Sequence, residues 1–166
     1  FTLRGLGADI AYAGDEGYPP LRIVGRRLRG GEVTMDSGVS SQYLSALLMV
    51  APTMEQGLRL RLTGETVSET YLQMTIGLMH RYGVEVTETD GGRTFVVAPQ
   101  PICAVPFTVE ADWSAASYWY EMMALTPDAS ATVLLRGLTR DSLQGDAAIA
   151  ALFERLGVRT TFTDLG

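Results

Sequence analysis

Alternation of apolar and polar side chains predicts strands in the first hundred residues. Residues 58–62 alternate Leu with Arg without interruption, which is typical of a strand that buries one face. Shorter patterns predict further strands at 8–12, 21–24, 32–35, 84–86 and 94–97. The sequence Asp90-Gly91-Gly92 separates the last two strands and predicts a tight hairpin turn.

Apolar residues at helical spacing predict two helices between these strands. Residues 39–51 form the first helix, which Pro52 ends. Residues 68–82 form the second, with a broad apolar stripe at Tyr71, Leu72, Ile76, Leu78 and Met79. Residues 32–98 therefore predict the order strand, helix, strand, helix, strand, strand.

The same pattern restarts after a proline-rich stretch at residues 99–106, which is the best candidate for a linker. The sequence then predicts a strand at 107–109, a helix at 113–125, a strand at 131–136, a helix at 145–156 and a strand at 158–163. The first of these helices carries an aromatic set that is expected to pack in a core: Trp113, Tyr118, Trp119 and Tyr120.

Three glycines, spaced at about 75 residues, close predicted helices in the same way: Gly7, Gly83 and Gly157. Glycine takes the left-handed closing conformation without a Cβ penalty. A repeat of this length indicates stacked copies of one supersecondary unit. The predicted fold class is α+β (mixed α/β), with one complete unit and partial units.

Composition narrows the class of protein. The 166 residues are 46% hydrophobic, which is enough to bury a core. The net charge is −6, which argues against binding to nucleic acid or to an anionic membrane. The chain has no Lys, so a reaction that needs a lysine must obtain it from outside this chain. One cysteine permits no internal disulfide, so we expect a reducing, cytoplasmic environment. The first residues read as the tail of a helix, so we expect the chain to be part of a larger protein.

Ser40, Ser41 and Gln42 form the sharpest local signal for chemistry. They follow a turn at Gly38 and open an apolar helix. Hydroxyls and free N–H groups at a helix start can bind a phosphate or carboxylate, and simple N-capping explains one serine equally well. Ser68 opens the next helix, and the repeat gives it a counterpart in Ser142, which favours a cap. Both interpretations stay open from the residues alone.

Other candidate residues are weaker. His80, the only histidine, lies near a predicted helix end and is expected at the surface. Cys103 lacks positive neighbours and is expected to be inert. Residues 26–29 make a short basic run that is typical of a solvated loop. No clustered His and Cys set indicates a zinc site.

Residues 36–49 resemble the phosphate-site segment of the 5-enolpyruvylshikimate-3-phosphate synthase family. Further segments resemble the same family in the same order, across essentially the whole chain: residues 18–22, Val67-Ser68 with Tyr71, residues 112–118 and residues 141–146. The resemblance implies repeated βαβαββ units of the enolpyruvyl transferase fold, in a cytoplasmic, monomeric enzyme. Residues 1–110 would then be the later part of one domain, and residues 111–166 would begin the partner domain.

The resemblance also implies a reaction and its site. The family transfers the carboxyvinyl group of phosphoenolpyruvate to the 5-hydroxyl of shikimate 3-phosphate, releasing phosphate, in aromatic amino acid biosynthesis and without a metal or organic cofactor. By this resemblance Ser40, Ser41 and Ser68 hold the shikimate phosphate, Gln42 contacts substrate, and Tyr71 lies near the shikimate ring. The family's catalytic Lys, Arg, Asp and Glu residues have no counterpart here, so the chain alone is expected to be inactive.

Three other interpretations are weighed against this one. UDP-N-acetylglucosamine enolpyruvyl transferase shares the fold, but it relies on a reactive cysteine in a mobile loop, and Cys103 does not match that context. A non-catalytic repeat module would use its serines as caps only. RNA-end processing enzymes have similar repeats, but the acidic charge disfavours them.

Overall fold

The structure, a computed structural model, describes residues 1–38, 40–64 and 69–163. The chain forms two compact units, Phe1–Val105 and Pro106–Gly166. No helix in these described ranges combines the length and apolarity needed to cross a membrane. The helices of the first unit are α1 (Thr2–Gly5), α2 (Ser41–Val50) and α3 (Glu69–Arg81). Its strands are β1 (Asp9–Tyr12), β2 (Leu21–Val24), β3 (Gly31–Asp36), β4 (Leu58–Thr63), β5 (Thr87–Thr89) and β6 (Thr94–Val97).

A four-stranded mixed sheet organises the first unit, in the order β3-β4-β6-β5. Strand β4 runs parallel to β3 and antiparallel to β6, and β5 pairs antiparallel with β6. Strands β3, β4 and β5 therefore run in one direction. Helices α2 and α3 connect successive members of this set, so each helix runs back from the carboxyl end of one strand. The predicted order of residues 32–98 is confirmed.

The core lies between this sheet and the two helices. Strand β4 buries every second residue, Leu58, Leu60 and Leu62, and exposes both arginines between them. The helices bury Leu44, Leu47 and Leu48 from α2, with Leu72, Ile76 and Met79 from α3. The predicted half-buried strand is confirmed. The apolar stripe that α3 buries is narrower than the predicted one, because the side chain of Tyr71 is 54% exposed.

The three repeated glycines close their helices with the same hydrogen bonds. Gly7, Gly83 and Gly157 have φ values of 104°, 76° and 89°, which disfavour any residue with a Cβ. Each glycine N–H donates to the carbonyl three residues back, and the next N–H donates to the carbonyl five residues before itself. This pair of bonds is the Schellman closure, so the predicted repeat of helix ends is confirmed.

The predicted strand at 84–86 is wrong, because β5 begins only at Thr87. The side chain of Gln100 explains the difference. Its Oε1 accepts from the Glu85 N–H at 2.8 Å, and its Nε2 donates to the Glu85 carbonyl at 3.0 Å. The backbone of residue 85 is therefore satisfied without a neighbouring strand. The hairpin turn itself is confirmed, with φ values of 55° at Asp90 and 64° at Gly91.

The second unit contains helices α4 (Trp113–Leu125) and α5 (Ile149–Glu154), and a 3₁₀ turn at Gly145–Ala148 precedes α5. The predicted helix at 113–125 is confirmed. The predicted strands at 107–109, 131–136 and 158–163 are not formed in the described part of this unit. Strands need a hydrogen-bonded neighbour. Leu135, Val158 and Phe162 pack in the core of this unit instead, whereas Val109 and Leu134 are 81% and 55% exposed.

The small core of the second unit is built around Trp113, Tyr120 and Leu138, with Phe153 and Phe162 packed against them. The prediction for the aromatic set is therefore half wrong. Trp113 and Tyr120 are buried, but Tyr118 and Trp119 are 65% and 49% exposed. Residues 113, 116 and 120 share one face of α4, whereas residues 118 and 119 lie on its other side.

Candidate functional site

Sheet topology brings the starts of α2 and α3 to one edge. Strands β3 and β4 are parallel and in register, so that Asp36 lies beside Thr63 at their carboxyl ends. Each helix follows the end of one of these strands in the chain. The two helix starts therefore lie next to each other at the carboxyl edge of the sheet, the usual place for a ligand in parallel α/β structure.

Short hydrogen bonds fix the loop that leads into α2. Ser37 is fully buried, and both its N–H and its hydroxyl donate to the Thr63 carbonyl at 2.8 Å. The N–H of Gly38 donates to Asp36 Oδ1 at 2.7 Å. The loop after β3 is thereby tied to the end of β4. This attachment holds the start of α2 in a fixed place on the sheet edge.

The predicted serines lie at the start of α2. Ser40 is the N-cap, and its hydroxyl accepts from the Gln42 N–H at 3.4 Å, so the capping interpretation is confirmed. That distance is long for such a bond. Because the Ser40 hydroxyl is the acceptor in this hydrogen bond, it can still donate its own proton to another partner. Ser40 and Gln42 are exposed and Ser41 is half-buried, so a ligand can reach this helix start.

The neighbouring helix start contributes Tyr71. Its side chain is exposed in the first turn of α3, at the same sheet edge as Ser40. Ser68 precedes α3 in the sequence and lies outside the described residues, as does Val67. The structure therefore brings Ser40, Ser41, Gln42 and Tyr71 to one edge, and the convergence of Ser68 with them stays a prediction.

Charge at this edge is mixed. The segments 36–43 and 63–72 contain acidic residues but no Arg, and the chain has no Lys. The hairpin turn between β5 and β6 lies at the same edge, because β5 ends there and β6 begins there. This turn carries the exposed Arg93. At this edge an anion would meet the dipoles of hydroxyl and N–H groups, with the guanidinium of Arg93 nearby.

A second polar cluster in the other unit was not anticipated from the sequence. The carboxylate of Glu110 accepts five hydrogen bonds. Oε1 accepts from Trp113 Nε1 at 3.0 Å, from the Thr139 N–H at 2.8 Å and from the Thr139 hydroxyl at 2.7 Å. Oε2 accepts from Ser142 Oγ at 2.6 Å and from Gln144 Nε2 at 3.1 Å. We call these residues the Glu110 cluster.

The Glu110 cluster joins the start of α4 to the loop at 139–144. Burial by itself raises the pKa of Glu110, but hydrogen bonds from Ser142, Thr139 and Trp113 outweigh it and lower the pKa to about 2. Ser142 also accepts from the Gln144 N–H at 3.0 Å in a loop turn. The predicted helix-cap role of Ser142 is wrong, because Gln144 is the N-cap of the following 3₁₀ turn. Three of the four partner residues lie 29 to 34 positions from Glu110, so local patterns could not reveal them.

His80 and Cys103, the other candidate residues from the sequence, belong neither to the start of α2 nor to the Glu110 cluster. His80 is exposed in the last turn of α3, as predicted. Cys103 is an exposed free thiol. Within the described ranges, no group of three or more His, Cys, Asp or Glu side chains could hold a metal ion.

The first unit contains a mostly apolar cavity. It has a volume of about 520 Å³ and lies between α1, the β1–β2 pair and α2, with Tyr12, Leu21, Tyr43 and Leu47 among its lining residues. Its lining includes neither Ser40 nor Gln42. Because Ser41 and Tyr71 are also absent from its lining, the cavity is separate from the candidate site.

Comparisons with known proteins agree with the sequence and the fold. The family model of EPSP synthase (3-phosphoshikimate 1-carboxyvinyltransferase) matches residues 2–165. A 3-phosphoshikimate 1-carboxyvinyltransferase from Bacteroides fragilis strain YCH46 is 52% identical over 165 residues, which cover 99% of this chain and 40% of that relative. The enzyme of the same name from Sulfurovum sp. strain NBC37-1 is 40% identical, over 98% of this chain and 38% of that relative.

The solved structure of EPSP synthase from Acinetobacter baumannii shows the same fold. It superposes with a TM-score of 0.58 at 22% identity, over 84% of this chain and 30% of that chain. The chain spans about two fifths of the length of the curated relatives it matches. On the family match and the shared fold, the chain belongs to the EPSP synthase (3-phosphoshikimate 1-carboxyvinyltransferase) family.

Proposed function

We propose that this chain supplies the phosphate-binding wall of a 3-phosphoshikimate 1-carboxyvinyltransferase. The observation that carries the proposal is the exposed start of α2, where Ser40, Ser41 and Gln42 lie at the same sheet edge as the start of α3. A phosphoryl group at this place would accept from hydroxyls and from the free N–H groups of the first helical turn. Ser68 would add a third hydroxyl from the segment before α3.

The rest of the substrate would lie along the same edge. Gln42 can donate or accept at a ring hydroxyl of shikimate 3-phosphate, and the exposed ring of Tyr71 offers an apolar face with a polar tip. Shikimate 3-phosphate and phosphoenolpyruvate are the proposed substrates, with no metal, organic cofactor or nucleic acid. In this proposal residues 1–110 are the later part of one domain and residues 111–166 begin its partner domain, in a monomeric cytoplasmic enzyme.

The transfer reaction needs more charge than this wall contains. Protonation of the enol carbon makes a cationic centre, the 5-hydroxyl attacks it, and the tetrahedral adduct then eliminates phosphate. Each step develops charge that preorganised groups must stabilise from both sides of the substrate. Because the family's catalytic Lys, Arg, Asp and Glu residues have no counterpart in this sequence, we expect the 166-residue chain alone to form no product. Phosphate release that depends on both substrates would contradict this expectation.

Calorimetry on the complete enzyme tests the binding role. Ser40→Ala combined with Ser68→Ala should weaken the binding of shikimate 3-phosphate by about 2–4 kcal/mol, since two hydrogen bonds to a charged group are lost. The matched control is Ser130→Ala, which removes an exposed hydroxyl from the second unit. Unchanged affinity in the double variant would reject the proposal, and so would binding of UDP-N-acetylglucosamine in place of shikimate 3-phosphate.

A further inference from the structure

Among the residues that the structure describes, one side-chain hydrogen bond joins α2 to α3. The hydroxyl oxygens of Ser45 and Thr75 are 2.9 Å apart, and both side chains are half-buried. Thr75 Oγ1 also lies 3.0 Å from the carbonyl oxygen of Tyr71, one turn earlier on α3. The neighbouring residues on the buried faces of both helices are aliphatic. The Ser45–Thr75 contact is therefore a directional bond within an otherwise non-directional interface.

Proton counting gives this contact a direction. Each hydroxyl carries a single proton, so Thr75 cannot donate both to Ser45 and to the Tyr71 carbonyl. Both contacts form together when Ser45 donates to Thr75 and Thr75 donates to Tyr71. The result is a short relay that starts on α2 and ends on the backbone of the first turn of α3. The relay links the two helix starts through hydrogen bonds rather than through packing alone.

The spacing of the relay relates it to the candidate site. Ser45 lies four residues after Ser41, and Thr75 lies four residues after Tyr71, so each pair shares one helix face one turn apart. The helices leave the same sheet edge. Ser41 and Tyr71 are therefore the next positions along each helix from the Ser45–Thr75 contact, toward the proposed phosphoryl group. A change in this contact would alter the distance between the two helix starts.

We propose that Ser45 and Thr75 are positioning residues for the binding of shikimate 3-phosphate. They act through Ser41 and Tyr71, by holding the starts of α2 and α3 at the separation that one phosphorylated substrate bridges. Apolar packing would keep the helices together without them, but it would allow small shifts along the helix axes. This inference rests on the proposed function, because it concerns the same site.

Substitutions on both helices test the inference in the complete enzyme. Thr75→Val keeps the shape of the side chain and removes the hydroxyl, and Ser45→Ala removes the same contact from α2 while favouring the helix. Each should raise the KM for shikimate 3-phosphate roughly 3–10-fold, the size of one lost hydrogen bond, and leave the KM for phosphoenolpyruvate unchanged. Thr75→Ser restores the hydroxyl and should restore the KM. The Ser45→Ala/Thr75→Val pair should be no worse than either single change.

The outcomes separate this inference from the proposed function. If Ser40→Ala with Ser68→Ala weakens substrate binding but neither Thr75→Val nor Ser45→Ala does, the positioning role is overturned and the proposed function stands. If the two single effects add in the double variant, the residues do not act through their mutual contact, and the inference fails. If the KM values for shikimate 3-phosphate and phosphoenolpyruvate rise together, or if Thr75→Ser does not restore the KM, the variants have lost structure in general and the positioning role is overturned.

Discussion

Substitution of Glu110 tests whether the hydrogen bonds of the Glu110 cluster stabilise the second unit. Replacing it in the 166-residue chain by Gln keeps the shape but removes the negative charge that accepts five hydrogen bonds. The amide nitrogen of Gln would also meet donors such as the Ser142 hydroxyl. We therefore expect Glu110→Gln to destabilise the second unit at neutral pH.

The magnitude follows from the pKa of Glu110, which falls from its ordinary value of 4.5 to about 2 in the folded chain. A shift of this size corresponds to about 3 kcal/mol if each unit is worth roughly 1.36 kcal/mol. Partial exposure of the carboxylate lets solvent screen the charge, so we expect a loss of about 1–2 kcal/mol. Because the folded-state pKa is the lower one, this stabilisation is present above pH 4.5 and is lost as the pH falls toward 2.

Tryptophan fluorescence isolates the unit concerned, because both tryptophans of the chain, Trp113 and Trp119, lie in the second unit. Urea unfolding followed at pH 7 and in steps down to pH 2 should show a difference between wild type and Glu110→Gln that shrinks with falling pH. Glu121→Gln, an exposed charge change on α4, should show no such trend. A wild-type advantage that stays constant from pH 7 to pH 2 would refute the reasoning.

Two further predictions concern the first unit, with unfolding followed by far-UV circular dichroism. Leu48→Ala, at a fully buried position, should lower the free energy of unfolding by roughly 2–5 kcal/mol. Met49→Ala, at a position that is 53% exposed, should lower it by less than about 1 kcal/mol. Equal losses in the two variants would contradict the described core. Gly57→Ala should lower the free energy of unfolding more than Gly91→Ala, although the two glycines have similar φ values of 66° and 64°. A Cβ at residue 57 would lie 2.1 Å from the Val97 carbonyl oxygen, whereas the space at Gly91 is open. Equal losses would contradict that close approach.

Local patterns predicted the elements whose causes are themselves local. The alternation at 58–62 and the helix at 113–125 were recovered because burial follows the period of the backbone. The glycine closures at Gly7, Gly83 and Gly157 were recovered because only a few residues take part in each. The hairpin at Asp90 and Gly91 was recovered for the same reason.

The errors arose where distant residues decide the structure. Gln100 satisfies the backbone of Glu85 and replaces the strand that alternation predicted. Extended segments such as 131–136 have the composition of strands, but composition does not supply a neighbour with which to pair. The Glu110 cluster depends on residues about thirty positions away. Helical spacing predicts Tyr71 in an apolar stripe, and only the packing of α3 shows that its side chain is exposed.

The most direct test of the central claim is a crystal structure of the complete enzyme with shikimate 3-phosphate bound. We predict that the phosphoryl oxygens lie within about 2.6–3.1 Å of the hydroxyls of Ser40, Ser41 and Ser68, with Tyr71 beside the ring. A phosphoryl group bound away from the start of α2, or a Ser68 hydroxyl on the opposite side of the sheet, would contradict the account.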